Sequence, residues 1–180
     1  MNTKLNTIQQ VITDHYNIKY DWSLTLTYRS ATHNVDKVGK DIKQLVDHLR
    51  RQVIGKSRLP YFNGKDHIMM FGSIERHANN SIHIHLNLTN PPEWLAKPEI
   101  PADLLKRIHK EALHFWENRK GHSVASSSSR ATNHVQPLIT QNESSAMLRY
   151  ITKYTSQNNG NTFIAYWDSD NVVKPINCLR

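Results

Sequence analysis

The chain has 180 residues, enough for one domain with a substantial core, and its 23 Lys+Arg against 15 Asp+Glu give a formal net charge of +8. A hydrophobic share of 38% excludes a disordered chain, and the longest unbroken apolar run, residues 163–167, excludes a membrane-spanning helix, which needs about 20 such residues. A single cysteine, Cys178, excludes an internal disulfide framework, and the opening MNTKLNTIQQ has no apolar export signal. These features predict a soluble, basic, cytoplasmic domain (nuclear in a eukaryotic host) whose excess positive charge suits a polyanionic partner such as nucleic acid.

Residues 2–18 read as an amphipathic helical lead-in with Leu5, Ile8 and Ile12 on one face. Trp22, Leu24, Leu26 and Tyr28 alternate with Ser23, Thr25, Thr27 and Arg29, the period of a half-buried strand. Val35, Val38, Ile42, Leu45, Leu49 and Val53 recur at helical spacing, so a long helix is expected over 35–54, stopped by Gly55. Two strands are expected at 67–76 and 81–88, then a helix at about 102–118 and a polar loop, GHSVASSSSR. A short strand at 134–138, a helix at about 143–157 and a strand at 162–167 complete the order αβαββαβαβ. Mixed elements of this kind predict an α+β fold. An antiparallel sheet of about five strands would carry helices mainly on one face, in a ferredoxin-like or RRM-like arrangement. The whole of 1–180 reads as one domain with its core at about 21–167, a lead-in at 1–20 and a tail at 168–180.

The hairpin is the most informative stretch. On one parity lie Ile68, Met70, Gly72, Ile74, Ile82, Ile84, Leu86 and Leu88; on the other lie Ser73, Glu75, His77, His83, His85 and Asn87. His83 and His85 therefore project from the same face, because side chains alternate along a strand. The apolar rows share a face only if the loop holds an odd number of residues. A three-residue loop, Ala78, Asn79 and Asn80, sets Glu75 opposite His83. Two imidazoles and a carboxylate then converge, a donor set suited to a divalent cation such as Mn²⁺, Zn²⁺, Fe²⁺ or Mg²⁺. A His-apolar-His triplet alone is common in a chain with 11 histidines; the carboxylate of matching parity is what makes the reading specific.

The segment MLRYITKY, 147–154, is the second constellation. At 100° per residue Leu148, Ile151 and Thr155 mark its buried arc, which leaves Tyr150 and Lys153 outside and one turn apart, with Tyr154 nearer the packed side. The bland alternative is an amphipathic helix with a surface Tyr and Lys.

Taken in order, the LTLT strand (24–27), Glu75 with the HIH triplet (83–85) and YITKY (150–154) resemble the HUH endonuclease superfamily, specifically the rolling-circle replication initiators called Rep proteins. Their motifs are a strand with alternating Thr, a His-hydrophobic-His strand and a Tyr-x-x-Lys helix. The resemblance implies nicking and joining of single-stranded DNA or an origin hairpin. Glu75, His83 and His85 would hold Mn²⁺ or Mg²⁺, Tyr150 would attack the scissile phosphate to give a 5′-phosphotyrosine, and Lys153 would stabilise the charge that develops. YITKY also fits the two-tyrosine pattern of some phage initiators, in which Tyr154 acts as well; Gln157 stands where those motifs carry a second Lys. Host replication helicase or polymerase would be further partners.

Arg29, Lys43, Arg50, Arg51, Lys56 and Arg58 are candidate phosphate contacts, with a solvated helix face as the alternative. Tyr61, Phe62 and Trp94 are candidates for stacking on bases, and His122 and His134 take no assigned role. Two other classes compete: a transposase or mobilisation relaxase with the same chemistry, and a non-enzymatic ferredoxin-like nucleic-acid-binding module. The last is disfavoured because the polar sheet face offers Ser, Glu and His rather than aromatics.

Overall fold

The computed structural model describes residues 17–28, 34–56, 70–76, 82–93, 98–99, 101–118, 133–152, 162–167 and 176–177. Its elements are β1 (Trp22–Thr27), α1 (Val35–Ile54), β2 (Met70–Arg76), β3 (Ile82–Leu88), α2 (Ala102–Lys106), α3 (Ile108–Glu117), β4 (His134–Pro137), α4 (Gln141–Thr152), β5 (Thr162–Trp167) and β6 (Ile176–Asn177). All strand pairings are antiparallel, in the order β4-β1-β3-β2-β5-β6. This is the expected α+β architecture. The two-residue β6 is the strand beyond the expected five, and it falls in the segment read as a tail. β1 and β2 run in the same direction with β3 between them, and α1 makes the connection: a split βαβ unit.

Helix α1 has clear local causes. The Asn34 side chain accepts the Lys37 N–H at 3.0 Å, and Asp36 in the first turn and Arg51 in the last oppose the helix dipole favourably. Gly55 ends it at φ 85°, where a Cβ would clash, and its N–H closes on the Arg51 carbonyl at 3.1 Å. The stripe Val38, Ile42, Leu45, Leu49 and Val53 is fully buried against Leu24, Leu26, Ile74, Ile84 and Leu86 of the sheet. Ile108, Ala112 and Trp116 of α3 complete the same core.

The helix expected over 102–118 is divided at Arg107, which leaves helical geometry at φ −116°, ψ 21°. Neither Gly nor Pro marks the break within that segment. Helix α4 begins at Gln141, ahead of its expected start, because Thr140 and Glu143 form a capping box. Glu143 Oε2 accepts the Thr140 N–H at 2.8 Å, and Thr140 Oγ1 accepts the Glu143 N–H at 3.2 Å.

The sheet has two unlike faces. Helices α1 and α3 cover the apolar one, while α4 packs against β2 and β3 on the polar one. Helix direction is fixed by side-chain ties. Tyr28 donates its hydroxyl to Asp41 Oδ2 at 2.9 Å, so α1 starts at the Thr27 end of β1 and runs back along the sheet. Trp116 donates its indole N–H to the Thr27 carbonyl at 2.9 Å, and His109 stacks on Trp22 with ring centroids 3.5 Å apart, so α3 ends where α1 begins. The lead-in at 1–16, residues 67–69, the hairpin loop at 77–81 and the polar loop after α3 lie outside the described residues.

Candidate metal and nucleophile site

The pairing of β2 with β3 sets Glu75 opposite His83 and Ser73 opposite His85. The parity argument therefore holds, with the hairpin loop itself outside the description. Both imidazoles are buried, His83 to 7% and His85 to 8% exposure, which separates them from ordinary surface histidines. Their rings meet edge to face, centroids 4.7 Å apart at 86°.

Three ligand atoms converge. His83 Nε2 lies 3.0 Å from His85 Nε2, His85 Nε2 lies 3.1 Å from Glu75 Oε2, and His83 Nε2 lies 3.3 Å from the same oxygen. One proton can bridge two of these atoms; a single cation satisfies all three. At a metal–ligand distance of about 2.1 Å, neighbouring ligands of a six-coordinate ion stand about 3.0 Å apart and those of a tetrahedral ion about 3.4 Å. The observed sides lie closer to the first. The cluster thus fits a two-histidine, one-carboxylate face of a divalent ion with positions left for other ligands.

The strand beside the hairpin supports this cluster. Thr25 stands opposite His85 and Thr27 opposite His83, so both threonines share the polar face. Thr25 Oγ1 is 3.2 Å from His85 Nδ1. Thr27 is held elsewhere: its backbone N–H and its hydroxyl both donate to Asn133 Oδ1, at 2.9 and 3.3 Å, and Asn133 Nδ2 donates to Glu117 Oε1 at 3.1 Å. Sequence reasoning did not find Asn133. It lies 106 residues from Thr27, and no spacing rule links them.

Helix α4 delivers the tyrosine. Leu148 and Ile151 are buried, as the wheel predicts, and Tyr150 is 46% exposed with its ring edge-on to His85, centroids 5.7 Å apart at 87°. Glu143, at the head of the same helix, is fully exposed, and its carboxyl is held below the ordinary glutamate range. The Thr140 N–H contributes most, then the Ile139 N–H, the Thr140 hydroxyl and the Lys19 charge, against an opposing desolvation.

The structure brings together Glu75, His83, His85 and Tyr150. Lys153, Tyr154, Arg29 and Arg58 lie outside the described residues, as do His77, Tyr61, Phe62, Trp94 and His122. Lys43, Arg50, Arg51 and Lys56 are not at this site. They belong to α1 and its C-terminal cap, on the opposite side of the sheet, and the last three sit at the end away from Thr27. His134, by contrast, pairs with Thr25 and so lies exposed on the same face as His85.

An antiparallel α+β sheet with a buried His/His/Glu cluster beside an exposed tyrosine defines a protein whose polar face is competent to hold a metal ion. The family model for the replication-associated protein ORF2 matches residues 21–159, more than half of the chain, and the chain belongs to that family. The match supports a role in replication initiation. Neither a curated protein nor a solved structure matches the chain. Among the described residues no helix is long and apolar enough to cross a membrane.

Proposed function

We propose that this chain is a metal-dependent, tyrosine-nucleophile endonuclease and strand joiner that starts rolling-circle replication on single-stranded DNA or an origin hairpin. The observation that carries the reading is the seat of Tyr150 against His85, beside three converging ligand atoms. Family membership adds the replication context.

Glu75, His83 and His85 would hold Mn²⁺ or Mg²⁺, which when bound would neutralise charge on a non-bridging oxygen of the scissile phosphate. The chain's own residues supply the rest. Burial of the two imidazoles keeps their ring nitrogens aimed at one point. The exposed Tyr150 can approach phosphorus in line. Its phenolic oxygen forms the new P–O bond as the bond to the 3′-oxygen breaks; that oxygen leaves with the electron pair and takes up a proton. The 5′-phosphate stays on Tyr150, and a 3′-hydroxyl is released to prime synthesis. Attack by a 3′-hydroxyl on the phosphotyrosine reverses the step and joins strands without another energy source. Lys153, three residues on, would meet the charge developing in the transition state, and Tyr154 is the second nucleophile if two are used.

The test is adduct formation on origin-like hairpins with Mn²⁺. The wild type should give a covalent protein–oligonucleotide band that Tyr150→Phe abolishes, with Tyr154→Phe run beside it to decide between one and two tyrosines. An undiminished adduct in Tyr150→Phe, or none from the wild type across a hairpin library, removes the proposal.

A further inference from the structure

We propose that Thr25 is a positioning residue for the metal site, acting through His85; the inference rests on the reading of Glu75, His83 and His85 as metal ligands. An imidazole that ligates through Nε2 must carry its proton on Nδ1, and a ring free to rotate or to take the other tautomer loses that geometry. His85 offers Nε2 to the cluster, 3.0 Å from His83 Nε2 and 3.1 Å from Glu75 Oε2, so its Nδ1–H points the opposite way. What lies there is the Thr25 hydroxyl, at 3.2 Å. In the metal-bound form His85 Nδ1–H donates to Thr25 Oγ1, which fixes the ring plane and leaves the Nε2 lone pair directed at the metal.

The sheet makes this partner specific. Thr25 is paired directly with His85 across β1 and β3, so the contact is set by backbone register rather than by a flexible loop. As a β-branched residue, Thr25 has a restricted χ1, and its hydroxyl therefore has few places to go. The second threonine of the strand gives an internal contrast. Thr27 stands on the same face opposite the other ligand, His83, yet its hydroxyl is given to Asn133 at 3.3 Å. The two threonines look equivalent in the sequence and differ in what they hold.

The experiment is calorimetric titration of Mn²⁺ into the full chain without DNA, for wild type, Thr25→Val, Thr25→Ser and Thr27→Val, with the metal-free melting temperature of each recorded. Thr25→Val keeps the shape and removes the hydroxyl; it should weaken Mn²⁺ binding by about 10–100-fold, the usual cost of losing an outer-shell partner, with little change in metal-free melting. Thr25→Ser restores the hydroxyl and should recover most of the affinity, and Thr27→Val should bind like wild type. Equal affinity in wild type and Thr25→Val overturns the positioning role and leaves the metal reading standing. A loss that Thr25→Ser does not recover also overturns it, since packing rather than the hydroxyl then carries the effect. Wild type that binds no Mn²⁺ overturns the metal reading, and this inference with it.

Discussion

Glu75 is the partly exposed corner of the ligand triangle, while both histidines are buried. It also supplies the negative charge that makes the cluster a site for a cation rather than a pair of neutral rings. Glu75→Gln, which keeps the shape and removes the charge, should weaken Mn²⁺ binding by more than the ~10-fold typical of an outer-shell loss. Unchanged affinity in a titration would take Glu75 out of the ligand set. At this scale the sequence was informative wherever period-2 alternation applied: parity alone placed Glu75 with His83 and His85, because a strand has only two faces. It could not assign Thr25 to His85 or Asn133 to Thr27. Those bonds span 60 and 106 residues and depend on which strand neighbours which.

At the scale of elements, α4 is where local chemistry bears on the reacting group. Its capping box satisfies N–H groups at the helix start, and Glu143 works best ionised. The folded carboxyl titrates below its ordinary value of 4.5, so its contribution is complete above that value and is lost as pH falls through the lower folded one. Glu143→Ala should lower the melting temperature at neutral pH and flatten that acid-side dependence, whereas Glu143→Gln should keep part of the cap without the pH response. Melting curves that keep the wild-type acid dependence in Glu143→Ala would assign it to other groups. The box was present in the sequence as Thr140 followed three residues later by Glu143, but helical periodicity placed the helix start later because residues 141–146 carry no apolar stripe. The division at Arg107 was not legible, since tertiary packing rather than a breaker residue produces it.

Over the whole molecule, the +8 charge is not gathered around the site. Helix periodicity says which stripe of α1 is buried, not which side of the sheet the helix covers. The structure places Lys43, Arg50, Arg51 and Lys56 across the sheet from His83 and His85. These cations therefore suit nucleic acid beyond the scissile phosphate. Reversing charge in Arg50→Glu/Arg51→Glu should leave adduct yield on a short oligonucleotide unchanged. The same variant should weaken binding to a long origin substrate and reduce its salt dependence, read as the slope of log K against log salt. Equal loss on short and long substrates would place these residues at the cleavage point after all.

The two halves of the site are tied to the fold over very different chain distances. Glu75 and His85 are 10 residues apart in one hairpin, whereas α4 is fastened by Ser144, whose hydroxyl accepts the Tyr20 N–H and donates to the Ile18 carbonyl, 124 and 126 residues away. Short-range closure costs less chain entropy and forms sooner than long-range closure. During refolding the ligand triangle should therefore assemble before the nucleophile arrives. In a stopped-flow experiment, Mn²⁺ capture should precede the recovery of adduct-forming competence, and Ser144→Ala should widen the gap by delaying only the second.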